Sequence, residues 1–258
     1  MHIRLPFLGE LTLSRTRPVP PGSFAADGLH VVGRNLGALA DTRFTAAYAA
    51  GMDSGHKIGR PRGSRADIHI EWRVYTCCWA AAHAQKLDGD FVECGVNTGI
   101  LSLAVCKYVN FNEIGKRFYL FDTFEGIPVE QMSPAERKVR TAENEQLYEE
   151  CYETARRNFA RYPNARLIRG RVPDSLQTVT IDRVSYLSID MNIVAPELAA
   201  IEYFWDRLVP GALVALDDYG FIGYSQQYAA MNAFALRMGV EIYTCPTGQG
   251  LLIRPPAP

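Results

Sequence analysis

No stretch of 18 or more apolar residues occurs in the 258-residue chain, so no segment is expected to cross a membrane as a helix. Positive charge is not in excess either. The chain has 27 basic against 28 acidic side chains, a net of −1, whereas proteins that live on nucleic acid or anionic lipid need a positive surplus. No C-x-x-C pair exists among Cys77, Cys78, Cys94, Cys106, Cys151 and Cys245, and the adjacent Cys77–Cys78 is a poor clamp for one tetrahedral ion. Four of the six lie in apolar runs, which points to reduced core thiols and a cytoplasmic setting. Glu10 interrupts the first apolar stretch and no small-residue cleavage site follows, so no signal peptide is expected. The turn pattern G-x-G-x-x-G and a Tyr-x-x-x-Lys pair are both missing, which excludes nicotinamide dehydrogenases. What remains is an ordinary soluble composition, 48% hydrophobic and 21% charged, with room for one large core.

Residues 1–65 are rich in Gly, Pro and Arg (RPVPPGSF, HKIGRPRGSR) and read as an arm or lid, with one short helix near Asp41–Ala50. Residues 66–258 form the main domain. A helix from about Ile68 to Leu87 places Trp72, Tyr75, Trp79 and Ala82 on one face and ends at Asp88-Gly89. Five apolar runs of strand length follow: FVECGV, RFYLFDT, ARLIRGRV, RVSYLSID and ALVALDDY. Helical patterns at Thr98–Val109, Gln146–Tyr162 and Ala195–Val209 separate most of them. Such alternation predicts βαβ units and a doubly wound, mostly parallel sheet covered on both faces. Val240–Pro246 and Gly250–Pro255 flank Thr247-Gly248-Gln249, which predicts an antiparallel hairpin at the sheet edge, seven strands in all. In the insert 125–145, Ser133-Pro134-Ala135-Glu136 has the form of a capping box, and a helix there would overhang the carboxyl ends of the strands.

Ligands of doubly wound sheets bind outside those carboxyl ends. The turn after the first strand, Glu93-Cys94-Gly95-Val96-Asn97-Thr98-Gly99, resembles the E/D-x-G-x-G-x-G turn of S-adenosylmethionine enzymes. Asn97 replaces the middle glycine, and Asn is the side chain most tolerant of positive φ. Gly95 would let the backbone approach the cofactor, Gly99 would let the helix pack on the strand, and Glu93 would face the methionine amino group. The second strand ends at Asp122, 27 residues past Gly95, where an acid either bonds ribose hydroxyls or caps the Thr123–Glu125 turn. Val172 is the expected apolar contact for adenine, while Asp174 or Ser175 is read as a helix cap. Cofactor contacts are therefore expected from Glu93, Gly95, Asn97, Thr98, Gly99, Asp122, Val172 and Asp190.

Strand four ends in Asp190 and strand five in Asp217-Asp218. In the order 3-2-1-4-5 these ends are neighbours about 4.8 Å apart, so three carboxylates converge. Left alone they repel and their pKa values rise. A hard cation such as Mg²⁺ resolves this and can orient two adjacent hydroxyls of an acceptor. Asp190 is the expected proton acceptor, because His2, His30, His56, His69 and His83 all lie early in the chain. Only a folded-over arm could bring His56 or His69 to the site.

Together GDFVECGV, YLFDTFEGIP, the Asp190 strand end and PGALVALDDYG resemble the macrocin O-methyltransferase family, over about Leu87–Pro255. The resemblance implies a Rossmann-like class I methyltransferase that moves a methyl from S-adenosylmethionine to a sugar hydroxyl of a natural product. It implies Mg²⁺ held by Asp190, Asp217 and Asp218. The family usually reads D-G-D-L-Y at strand four; here Asp190-Met191-Asn192-Ile193-Val194 stands instead, without the second acid. The same MNIV stretch is unlike the proline-aromatic tetrad of nucleic-acid base methyltransferases. A catechol-type metal-dependent enzyme and a non-catalytic cofactor-binding scaffold are the alternatives. The expected partners are a small hydroxylated acceptor and further copies of the chain, with neither nucleic acid nor membrane.

Overall fold

The apolar runs become strands because each is short and closed by Gly or Asp, and most carry β-branched or aromatic residues. The computed structural model describes residues 2–4, 10–12, 21–56 and 67–256. Two short antiparallel pairs come first, β1 (His2–Arg4) with β2 (Glu10–Thr12) and β3 (Phe24–Ala26) with β4 (Leu29–Val31). Helices α1 (Gly37–Ala40), α2 (Thr42–Met52) and α3 (Glu71–Ala84) follow. Then come β5 (Asp90–Cys94), α4 (Ile100–Tyr108), β6 (Phe118–Asp122), α5 (Pro134–Leu147), α6 (Tyr152–Phe159) and β7 (Ala165–Arg169). The chain ends with β8 (Val184–Ile189), α7 (Val194–Trp205), β9 (Leu208–Leu216), α8 (Ser225–Met238), β10 (Tyr243–Thr244) and β11 (Gly250–Ile253).

The seven-stranded sheet runs β10-β11-β9-β8-β5-β6-β7. The five strands β9-β8-β5-β6-β7 are parallel and reach the far edge at β7, while β11 runs antiparallel to β9 and β10 to β11. That is the doubly wound order with an antiparallel C-terminal hairpin. The register matters more for the site than the order. Cys94 pairs with both Phe121 and Ile189, and Ile189 pairs with Leu216. The next residue on each strand is Gly95, Asp122, Asp190 or Asp217, so the four stand in a row at one edge.

Apolar side chains cover both faces of the sheet. One cluster packs α2, α3, α4 and α6 on it, and the other packs α7 and α8. One expectation changes at this level, and two packing features add to the reading. The aromatic stripe of α3 is not its core face: Val74, Cys77, Cys78, Ala81 and Ala84 are buried, while Trp79 is 47% exposed. Small side chains let α3 approach its neighbours closely, and Trp72 instead meets Phe24 of β3 edge-on at 6.4 Å. The helix expected at 146–162 is two helices. Tyr148 is extended, and Cys151 N–H donates to Phe124 O at 2.9 Å, which breaks the helical ladder between α5 and α6. Finally, Phe44, Ala47, Tyr48 and Met52 of α2 lie in the same core as α4. The domain boundary expected at 65/66 falls among residues 57–66, outside the described residues.

Ser133 does open α5. Its Oγ accepts from Glu136 N–H at 3.2 Å, and Glu136 Oε2 accepts from Ser133 N–H at 2.8 Å. The other oxygen, Glu136 Oε1, accepts from Val194 N–H at 2.7 Å and pins the insert to the start of α7. No such capping contact exists at Asp174–Thr178, a single 3₁₀ turn without a side-chain cap. Ser175 is buried with its hydroxyl unpartnered and Asp174 is exposed, so neither caps a helix there. All six cysteines are buried and free, and burial pushes the Cys77 thiol up to about 12, which leaves it protonated and unreactive.

Candidate active site

A cleft opens over the carboxyl edge of the sheet, lined among others by Glu93, Gly95, Asn97, Asp122, Val172 and Asp190. The turn between β5 and α4 forms its floor. Asn97 has φ 50° and its Oδ1 accepts from Thr98 N–H at 2.7 Å, so this side chain takes the left-handed conformation and ties it locally. Asp122 Oδ2 accepts from Val96 N–H at 2.6 Å and Asn97 N–H at 2.7 Å; its Oδ1 accepts from Phe124 N–H at 2.6 Å. One carboxylate thus binds the first turn and also caps the second. Both readings of Asp122 from the sequence concern the same two oxygens, and the capping bond is present.

Glycine is needed in this turn for neighbours in the protein itself. A Cβ on Gly95 would stand 1.8 Å from the Asp190 carbonyl oxygen. At Gly99 it would stand 2.7 Å from the Phe159 ring of α6, so helix α6, not the strand, is what presses on that glycine. Thr98 and Gly99 do not line the cleft. The Thr98 hydroxyl is buried against Ser54 Oγ at 2.8 Å, and Asn158 Nδ2 donates to both Ser54 O and Thr98 O. Thr98 faces the segment just after α2 because the turn rotates it behind the sheet edge, a direction that spacing alone does not reveal.

Glu93 is the most unusual member of the cleft. It is 1% exposed and its Oε2 has no partner. Burial drives its carboxyl well above the usual carboxylate range. A buried acceptor left unpaired is costly, and a positively charged ligand group entering the cleft would relieve that cost.

The three aspartates do converge: one oxygen of each of Asp190, Asp217 and Asp218 lies within 4.8 Å of the others. Asp217 is 3% and Asp218 8% exposed. Burial and the Asp190 charge push Asp218 well up, and its Oδ2 has no partner. Burial raises Asp190 to about 6, with Arg73 working against it. Arg73 is the residue the sequence did not reveal. From α3 its Nη2 contacts Asp217 Oδ2 closely, its Nε donates to Asp217 Oδ1 at 3.3 Å, and Nη2 lies 3.8 Å from Asp218 Oδ1. Gln249 Nε2 also donates to Asp217 Oδ1, at 2.9 Å. The donor set fits a hard divalent cation in its oxygens and spacing, and Asp218 Oδ2 is an oxygen free to meet one.

Behind the aspartates, Asn192 (φ 65°) accepts at Oδ1 from the Tyr224 hydroxyl at 2.9 Å and points Nδ2 to Asp190 Oδ1 at 3.4 Å. Where a second acid was missed in the sequence, an amide links the strand end to the loop after β9. Arg140 of α5 stacks on the Tyr224 ring at 3.6 Å and donates to Gly223 O at 2.8 Å, so the insert does roof this edge. Of the two histidines from the arm, His56 lines the cleft, 6.2 Å from the Tyr148 ring. His69 does not; its Nδ1 lies 3.3 Å from Glu71 and 3.7 Å from Asp67.

Residues 73–241, from Arg73 through α8, match the model of the macrocin-O-methyltransferase (TylF) family. The chain belongs to this family. The match spans well over half of the sequence and includes every carboxylate of the cleft. Comparison with curated protein sequences gives no match. Among solved structures, the O-methyltransferase NovP overlays with a TM-score of 0.66 at 19% identity, covering 84% of this chain and 96% of NovP. The calicheamicin methyltransferase CalS11 overlays more loosely, at TM-score 0.49 and 15% identity, covering 70% of this chain and 77% of CalS11. The class I methyltransferase fold expected from the alternating strands and helices is the fold present. Among the described residues no helix is long and apolar enough to cross a membrane.

Proposed function

We propose that this methyltransferase uses S-adenosylmethionine and Mg²⁺ to methylate a hydroxyl of a small molecule, a sugar of a natural product or glycoconjugate. One observation carries the reading: a buried carboxylate with one oxygen unpaired, Glu93, shares a cleft with Asp190, and Asp190 shares its strand edge with Asp217 and Asp218. When bound, S-adenosylmethionine supplies an electrophilic methyl group and Mg²⁺ supplies Lewis acidity toward the acceptor hydroxyl.

The chain's own groups do the rest. Glu93 would pair with the cofactor's ammonium, which offsets the burial that raises its pKa. Gly95, Asn97 and Asp122 would support the ribose, and Val172 would cover the adenine; Thr98 and Gly99 would act through the shape of the turn. Asp190, Asp217 and Asp218 would hold the ion. Asp190, at the strand end facing the cleft, would also take the proton from the acceptor oxygen. Ile68, Ile70, Phe124 and Ile127 line the cleft and would exclude water from the transfer.

The decisive experiment offers glycosides and catechols with S-adenosylmethionine, with and without EDTA, and reads methyl transfer by mass. Methylated glycoside that disappears on chelation and returns with Mg²⁺ is expected. Product confined to catechols would redirect the assignment to that class. Calorimetry and thermal shift that both stay silent at millimolar cofactor would sink the methyltransferase reading.

A further inference from the structure

Arg73 touches three carboxylates. Besides Asp217 and Asp218, its Nη1 lies 3.8 Å from Asp27 Oδ1. Asp27 and Gly28 form the tight turn of the β3–β4 hairpin, at φ 50° and 71°, and the Asp27 side chain is only 20% exposed. The Arg73 guanidinium also lies over the Phe221 ring at 5.2 Å and its side chain is 17% exposed. It is therefore confined between two acidic destinations, one at the strand edge and one on the N-terminal hairpin. The Nε/Nη2 edge of the planar fork faces Asp217 and its Nη1 side faces Asp27. On Asp217 that fork covers both oxygens, the ones an ion would need.

The geometry points to Arg73 as a transferable counter-charge: it holds Asp217 while no divalent ion is present and moves to Asp27 when one binds. This rests on the metal reading given above. An ion on the same two Asp217 oxygens would meet the guanidinium at close range, so ion binding and the Arg73–Asp217 pair weaken each other. Asp27 lowers the cost of leaving, since the guanidinium passes from one carboxylate to another without a stage of unpaired burial. The hairpin and the ion site are then linked, each favouring the other.

Mn²⁺ serves as the probe, its free fraction read by electron paramagnetic resonance on the full chain, with cofactor binding checked separately by calorimetry. Arg73→Met removes the competitor and should tighten Mn²⁺ by about tenfold, a size typical of coupled sites. Asp27→Asn keeps the turn, because Asn accepts the same left-handed φ, yet removes the destination; it should weaken Mn²⁺ by a similar factor. Opposite shifts support the transfer, whereas a simple structural role would move both variants the same way. Unchanged or weaker binding in Arg73→Met overturns the proposal, as does unchanged or tighter binding in Asp27→Asn. If Arg73→Met does not fold, Asp27→Asn decides alone. Asp218→Asn marks the site: it should abolish tight Mn²⁺ binding. If the unmodified chain binds no Mn²⁺ while still binding cofactor, the metal reading itself fails, and this proposal with it.

Discussion

Gly95 lies against the backbone of Asp190 so closely that a Cβ at position 95 would stand 1.8 Å from the Asp190 carbonyl oxygen. The turn between β5 and α4 and the proposed catalytic strand end are thus one packed unit. At φ 92° a side chain also meets backbone strain. Gly95→Ala should therefore cost about 2–4 kcal/mol, combining left-handed strain with overpacking, and should abolish cofactor binding. Gly115 provides the control. It has φ 67° but nothing within 4 Å of its notional Cβ, so Gly115→Ala should cost only about 1 kcal/mol. Denaturant midpoints of the two variants check this, and equal losses would show that the contact with Asp190 is unimportant.

Asp122 joins two turns by accepting amide hydrogens at both oxygens. Asn has one acceptor and one donor, so its amide group would meet an N–H at one of the two turns. Asp122→Asn should consequently behave almost as badly as Asp122→Ala. Each should weaken cofactor binding tenfold or more, on the order of the 1.5–3 kcal/mol carried by a hydrogen bond to a charged group. Titration calorimetry with S-adenosylmethionine reads the outcome. If Asn were to restore affinity, the second oxygen would not matter.

The strand ends were legible because residues of the same strand order share one register. Once RFYLFDT, RVSYLSID and ALVALDDY are parallel strands of one sheet, their terminal acids lie at the same edge. Periodicity reveals strands and their order, but it says nothing about a long side chain arriving from elsewhere. Arg73 reaches Asp217 across 144 residues of sequence, and no local pattern marks it. Thr98 was unreadable for a different reason: within a tight turn, consecutive side chains point in different directions, and Ser54 is the partner that fixes this one. Asn192 looked like a lost acid, yet its amide bridges Tyr224 and Asp190.

Helix α2 offers a test of how far the N-terminal segment belongs to the core. Gly51 sits in that helix, and a Cβ there would lie 2.3 Å from Ile100 O of α4. Gly→Ala at an exposed helix position gains up to about 1 kcal/mol. At a closely packed helix crossing the sign reverses. Gly51→Ala should lose about 1–3 kcal/mol through overpacking, seen as a lower urea midpoint with an unchanged slope. A gain would mean that α2 lies loosely on the domain, as an arm would.

Glu197, in the first turn of α7, gives the pH dependence its sign. It is 4% exposed, and its Oε1 accepts from Met191 N–H at 3.1 Å beside the strand end at Asp190. Burial first and the Asp190 charge second raise its pKa from 4.5 to about 8. In the folded chain it therefore keeps a proton that the unfolded chain releases near 4.5. Because the folded state binds more protons between these values, unfolding free energy falls as pH rises from 4.5 to about 8. The contribution is whole below 4.5 and lost once the folded group ionises above about 8. Glu197→Gln keeps the shape and the acceptor oxygen but cannot ionise, so its stability should fall less across that window. Urea titrations at a series of pH values compare the two slopes. Identical slopes for the variant and the unmodified chain would show that Glu197 ionises normally inside the fold.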